Sequence, residues 1–218
     1  RTPEYVADGA YTVIRTTNVR NGRFSIKGSY TTDETSYRMW TQRGAPHVGD
    51  VLFTREAPAG EACLAPNLGN ICLGQRMMYL RPDPEVLAPS FLLHSIYGPV
   101  VRRYIDQACN GSTVGHLRLH QVSSLPVLWC SRQQQERIVA HIEEAIEPMA
   151  AMEARAEGEI GLIREYRTRL IADVVTGQLD VREAARNLPD LDPEEAVGVE
   201  PDIEMPEDDL EETEDAAA

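Results

Sequence analysis

The sequence predicts an α+β fold. A mixed α/β unit fills residues 1–130, one long helix of coiled-coil type fills 131–182, and a disordered acidic tail fills 183–218. Three observations predict it. Short β-prone runs bounded by turn residues recur through the first 130 positions. Apolar residues then repeat at steps of three and four from Ile138 to Val174. Beyond that repeat, residues 183–218 hold 15 of the chain's 35 acids and a single base, Arg186.

The first unit has β-prone runs at Tyr11–Arg15, Arg23–Ile26, Val51–Thr54, Ala62–Ala65 and Arg76–Leu80. Asn21-Gly22 lies just before the second run and favours a tight hairpin turn, because both residues tolerate positive φ. Gly44, Pro46, Gly49 and Asp50 punctuate the approach to the third run, and Gly49-Asp50 reads as a structural turn. Glu34–Arg43 reads as a helix with Met39 and Trp40 available for burial. Pro89–Ile105 reads as a second helix, opened by a proline at its first turn. Gly98-Pro99 breaks or kinks it, since proline cannot donate the helical hydrogen bond.

The long helix starts at Ser131, whose hydroxyl can cap the turn formed by Gln133-Gln134-Gln135-Glu136. Its apolar stripe is Ile138, Ile142, Ala145, Met149, Met152, Ala156, Ile160, Ile163, Tyr166, Leu170 and Val174. Pro148 predicts a bend, and Gly177 a stop. Such a helix is too long for the first unit alone to cover, so the stripe asks for a partner helix. The tail lacks aromatics and cannot bury enough apolar surface to offset the entropy of ordering.

Composition narrows the function. The net charge is −14 with 21 bases, but the tail accounts for all of it. Residues 1–130 hold 13 bases against 10 acids, and 12 of those bases are arginine. The acidic chain average is therefore no argument against a nucleic-acid partner. Aromatic content of 6% disfavours a stacking platform for single strands. No apolar run approaches the roughly 18 residues of a membrane span, and no signal peptide is visible. The chain opens Arg1-Thr2-Pro3-Glu4 without Met, so an upstream portion is expected. Cys63, Cys72, Cys109 and Cys130 form no Cys-x-x-Cys pair and read as free thiols of a cytoplasmic protein.

Catalytic motifs are missing. There is no phosphate-binding loop, and the only lysine is Lys27. No Gly-x-Gly-x-x-Gly, no Gly-x-Ser-x-Gly elbow and no Asn/Asp-Pro-Pro-aromatic run occurs. His116 and His120 are four apart, yet their segment alternates like a strand and no third ligand follows, so no metal is expected. Binding and assembly lead over catalysis.

Four segments then matter together. They are Val13-Ile14-Arg15-Thr16-Thr17-Asn18-Val19-Arg20-Asn21-Gly22; Gly49-Asp50-Val51-Leu52-Phe53-Thr54-Arg55 leading to Pro58-Ala59-Gly60-Glu61 and Leu73-Gly74-Gln75-Arg76-Met77-Met78; Gly111-Ser112-Thr113-Val114-Gly115-His116-Leu117; and Gln133-Gln134-Gln135-Glu136-Arg137-Ile138-Val139, with the helix closing in Leu170-Ile171 and Thr176-Gly177-Gln178-Leu179-Asp180-Val181-Arg182. In this order and spacing the chain resembles the specificity (S) subunit of type I restriction-modification enzymes. Gly115 departs from the pattern, where a proline usually precedes the His-Leu pair.

The resemblance implies a target recognition domain over 1–130, a conserved spacer or dimerisation helix over 131–182, and no catalysis in this chain. It implies double-stranded DNA as ligand, with methyltransferase (M) and restriction/motor (R) subunits as partners. S-adenosylmethionine, ATP and magnesium would belong to those partners. The chain would be the C-terminal half of a two-domain subunit, joined to the other S half, or a half-length subunit that pairs with a second copy; outside the resemblance, the striped helix leaves a coiled-coil adaptor with protein partners only as the alternative. The DNA-facing candidates are Arg15, Asn18, Arg20, Arg23 and Lys27 around the hairpin; Arg38 and Arg43 flanking Trp40; Arg55 and Arg76; and Ser112, Thr113 and His116 in a Gly-rich loop. Solvated surface, or ion pairs of Arg55 and Arg76 with Glu56 or Glu61, are the alternatives. Partner-helix candidates are Ile138, Ile142, Ala145, Met149, Met152, Ala156, Ile160, Ile163, Leu170 and Val174. The acidic tail either solubilises the chain or shields its basic face from non-specific contacts.

Overall fold

A computed structural model describes residues 4–109 and 115–186. They fall into two compact units, 1–151 and 152–218. Mixed strands and short helices build the first unit, and a long helix follows them.

The strands form three small sheets. β1 (Tyr11–Ile14) lies between β4 (Tyr30–Thr32), antiparallel, and β7 (Ile71–Leu73), parallel. β2 (Val19–Arg20) and β3 (Arg23–Phe24) form a hairpin. β5 (Val51–Thr54) is central to the third sheet, with β6 (Ala62–Leu64) and β8 (Met77–Leu80) antiparallel on its two sides.

All four residues of β5 are buried. Strand side chains alternate between faces, so Val51 and Phe53 enter one core while Leu52 enters another. The first core adds Leu92, Leu93 and Ile96 from α2 (Pro89–Tyr97) and Val101 and Ile105 from α3 (Pro99–Cys109). The second is built from Ile14, Val19, Cys63, Ala65, Ile71 and Met77. Thr54 cannot follow Phe53 into apolar surroundings without a partner. Its hydroxyl accepts from the Glu61 N–H at 2.9 Å and donates to the Pro58 carbonyl at 2.5 Å.

Asn21 and Gly22 take φ of 49° and 80°, the positive values a tight hairpin turn requires. The break at Gly98-Pro99 separates α2 from α3. The second expected strand stops at Phe24 rather than Ile26, because the next carbonyls turn inward to Asn18. The expected strands at 11, 62 and 76 are each one residue shorter. β2, β4 and β7 are additional to the expected set.

α1 (Glu34–Trp40) is capped by Asp33, whose carboxylate accepts the Ser36 N–H at 2.7 Å. Met39 is not buried as expected but half exposed, and Trp40 is partly buried. Ser36 takes the inward position, and Tyr37 stacks on Tyr11 at 4.4 Å. The strand expected at 115–120 is also corrected. A single bridge joins His116 to Glu56, and Leu119–Ser123 then forms the short helix α4.

α5 (Arg132–Val175) is one helix of 44 residues that continues through Pro148. Ser131 and Gln134 cap it reciprocally, with the Ser131 N–H donating to Gln134 Oε1 at 3.1 Å and the Gln134 N–H donating to Ser131 Oγ at 3.4 Å. Gly177, at φ 76°, follows its end. A short helix α6 (Arg182–Ala185) stands where the tail was expected to begin. The disorder expected of the tail otherwise concerns residues 187–218, outside the described residues. Ser112 and Thr113 also lie outside the described residues.

Candidate nucleic-acid interface

The hairpin is shaped from within by Asn18. Its side chain is 1% exposed. The amide donates to the Ser25 carbonyl at 2.9 Å and the Lys27 carbonyl at 3.2 Å, while Oδ1 accepts the Arg15 N–H at 2.8 Å. All of this bonding is internal, so Asn18 is a strut of the hairpin rather than a side chain offered to DNA. Arg20, Arg23 and Lys27 are exposed around it. Arg15 is partly buried, with its guanidinium 4.3 Å from the Tyr30 ring centre. The turn touches β6, where Gly22 bridges Cys63.

A second group gathers elsewhere. A cleft of about 400 Å³ is lined by Trp40, Arg43, Arg55, Gly74, Gln75, Met77, Met78, Tyr79 and Leu119 among others. It brings Arg43, on the loop after α1, and Arg55, just past β5, to one opening that Trp40 also lines. Arg76 is next to it in the chain, and the Arg76 carbonyl accepts the Arg55 N–H at 2.9 Å. Guanidinium groups beside an open apolar floor suit phosphate oxygens or base edges. Arg38 is spent differently: it pairs with Glu34 at 2.6 Å on an exposed helix face.

His116 lies 3.1 Å from Glu56 through Nδ1. Glu61 pairs with Arg102 at 3.5 Å. The two carboxylates suggested as partners for Arg55 and Arg76 are thus engaged by His116 and Arg102 instead. Among the described residues no three His, Cys, Asp or Glu side chains gather as a metal site. None of their helices is long and apolar enough to cross a membrane.

Buried Asp50 carries the loop between α1 and β5. Arg81 donates to it through Nε and Nη2, both at 2.7 Å, and the His47 N–H donates at 2.7 Å. Burial pushes its carboxyl up, but the Arg81 and His47 hydrogen bonds prevail and hold it below the usual carboxylate range. Burial raises the free thiols of Cys63 to about 12 and Cys72 to about 11, so both stay protonated.

The helix candidates are arranged as a free face. Only Gln135 is buried along α5. Ile138, Ala145, Met149, Met152, Ala156, Ile160, Ile163 and Leu170 are exposed, and Ile142 and Val174 are partly buried. Ile138 and Ile142 also line an apolar cleft of about 450 Å³ with Phe91, Val101, Leu128 and Trp129. Sequence reasoning missed Leu128 and Trp129, the latter 76% exposed. A large apolar pair just before a helix cap was the available signal. It also missed Tyr79, Arg81, Tyr97 and Arg102, which hold the arginine-bearing turns.

No protein-family model matches the chain, and no curated protein sequence does. Several solved structures are similar to it, two of them as follows. One is the HsdS subunit from Thermoanaerobacter tengcongensis, at a TM-score of 0.47. The other concerns complex assembly and conformational transition of the type I R-M system, at 0.49. Each shares 18% identity, and the match covers 84% of this chain and 45% of the other. The match therefore spans less than half the length of either.

Proposed function

We propose that this chain is a non-catalytic DNA-reading and scaffold subunit of a type I restriction-modification system. The observation that carries the reading is the ordered set of four segments between Val13 and Arg182. Supporting it, residues 1–130 expose arginines on two separate turns, and α5 leaves most of its apolar stripe exposed among the described residues.

In this reading the first unit meets one half of a bipartite site. Arg20, Arg23, Lys27, Arg43, Arg55 and Arg76 supply forked or point-charge donors to duplex DNA. The stripe from Ile138 to Val174 packs against the helix of the other S half or of a second copy. Methyltransferase subunits dock on the assembled scaffold and bring S-adenosylmethionine; motor subunits bring ATP and magnesium. A mildly basic unit binds weakly alone, since each phosphate contact adds only a modest, salt-sensitive increment.

The deciding experiment exchanges residues 1–130 for the corresponding region of a different S subunit and maps the sequence methylated by the complex. The methylated half-site should change with the exchanged region. An unchanged target overturns the reading.

A further inference from the structure

The two arginine-bearing turns are fastened by the same chemistry. The first is Asn21-Gly22, between Arg20 and Arg23. The Asn21 N–H donates to Glu61 Oε2 at 2.6 Å, and the Gly22 N–H donates to the Tyr97 hydroxyl oxygen at 2.8 Å. That hydroxyl lies 3.0 Å from Glu61 Oε2 and also accepts the Ala62 N–H at 3.0 Å. Arg102 lies over the Tyr97 ring at 4.3 Å and pairs with Glu61 at 3.5 Å.

The second turn is the loop from Thr41 to Gly49, which carries Arg43. Its His47 N–H donates to Asp50, and its Arg43 carbonyl accepts from the Tyr79 hydroxyl at 3.2 Å. Arg81 lies over the Tyr79 ring at 4.9 Å, grips Asp50 twice and donates to the Ala45 carbonyl at 3.0 Å. Gly44, at φ 113°, permits this approach: a Cβ there would stand 2.6 Å from the Tyr79 hydroxyl.

Each bracket is a carboxylate, an arginine and a tyrosine. In each, the arginine covers the tyrosine ring and pairs with the carboxylate, while carboxylate and hydroxyl engage turn backbone. None of these six side chains was among the DNA-facing candidates. Ordering a flexible turn on binding costs affinity, and a turn already fixed avoids that cost.

We infer that the two brackets are positioning devices that set Arg20, Arg23 and Arg43 for DNA before DNA arrives. Glu61, Tyr97 and Arg102 serve the hairpin; Asp50, Tyr79 and Arg81 serve the loop. This rests on the DNA-reading role proposed above.

The test is a double-mutant cycle on the full chain, with a fluorescent random-sequence duplex pool as probe. Tyr97→Phe keeps the ring under Arg102 but removes the hydroxyl, and Arg81→Lys keeps charge but loses the fork. Each should weaken binding roughly tenfold. Tyr97→Phe should cost nothing further once Arg20 and Arg23 are alanine, and Arg81→Lys nothing further once Arg43 is alanine. Thermal melting monitors folding, and the two independent brackets guard against one variant unfolding. Losses that simply add overturn the proposal, because a merely structural role would weaken binding whether or not the arginines were present. If the arginine variants bind as well as the parent, the turns are not the DNA surface and the proposal also fails. The half-site assignment is judged separately, by the domain exchange.

Discussion

The unit formed by residues 1–151 and the helix from Met152 onward answer the same problem of apolar surface in opposite ways. In the first, Val13, Ile14, Val51, Leu52 and Phe53 are wholly buried against other parts of the same chain. In the second, Ile160, Ile163 and Tyr166 stand 50%, 67% and 68% exposed. The first region supplies its own stability; the second leaves its apolar surface open among the described residues, and the proposed scaffold role would cover it with a partner helix. A single substitution should therefore register differently in the two places.

The sharpest break of that contrast is Phe53→Ala. It empties a site between β5 and the helices and should cost about 3–5 kcal/mol, read as a lower denaturant midpoint of the first unit. Ile163→Asp should do the reverse. Melting of the first unit should be unchanged, while assembly with the partner helix weakens by roughly 100-fold or more, because a carboxylate would have to be desolvated in the seam. Light scattering reads the assembly, and an unchanged mass would remove α5 from the interface.

Gln135→Leu tests the junction. Gln135 donates to the Val86 and Cys130 carbonyls, both at 2.9 Å, and accepts the Ala88 N–H at 2.8 Å. Leucine strands those groups and should cost about 1–3 kcal/mol, measured by urea unfolding.

The smallest effect concerns pH. The folded carboxyl of Asp50 lies below its ordinary value, which is roughly 3.9 in an unfolded chain. Its contribution is complete above that unfolded value and is lost as pH falls through the folded one. Asp50→Asn should flatten this part of the acid-unfolding curve while leaving the slope at neutral pH unchanged.

Features written in neighbouring residues were legible. Asn21-Gly22 declares its own turn, Gly98-Pro99 its own break, and the threes and fours from Ile138 declare one helix. What escaped depends on distant partners. β7 is recognisable only as the parallel neighbour of β1, which lies nearly sixty residues earlier. Met39 looked like core because apolar residues usually are, yet the inward position of α1 belongs to Ser36. Asn18 looked DNA-facing because it sat among arginines, while its bonds to Ser25 and Lys27 are invisible until the hairpin closes. The Tyr97 bracket unites residues separated by 36 and 75 positions. The candidate DNA surface was thus legible as a set of arginines but not as two fastened turns.

Gln135 has a consequence of its own, because it fixes a helix at one point of its circumference. Each residue turns an α-helix by about 100°. Ile142, seven residues on, returns to within about 20° of Gln135, and Ile138 falls about 60° away. The glutamine therefore acts as a key in a keyway, clocking the early stripe toward the cleft beside Trp129. Inserting one residue between Gln135 and Ile138 would leave both the key and the stripe intact yet rotate one against the other by a quarter turn or more.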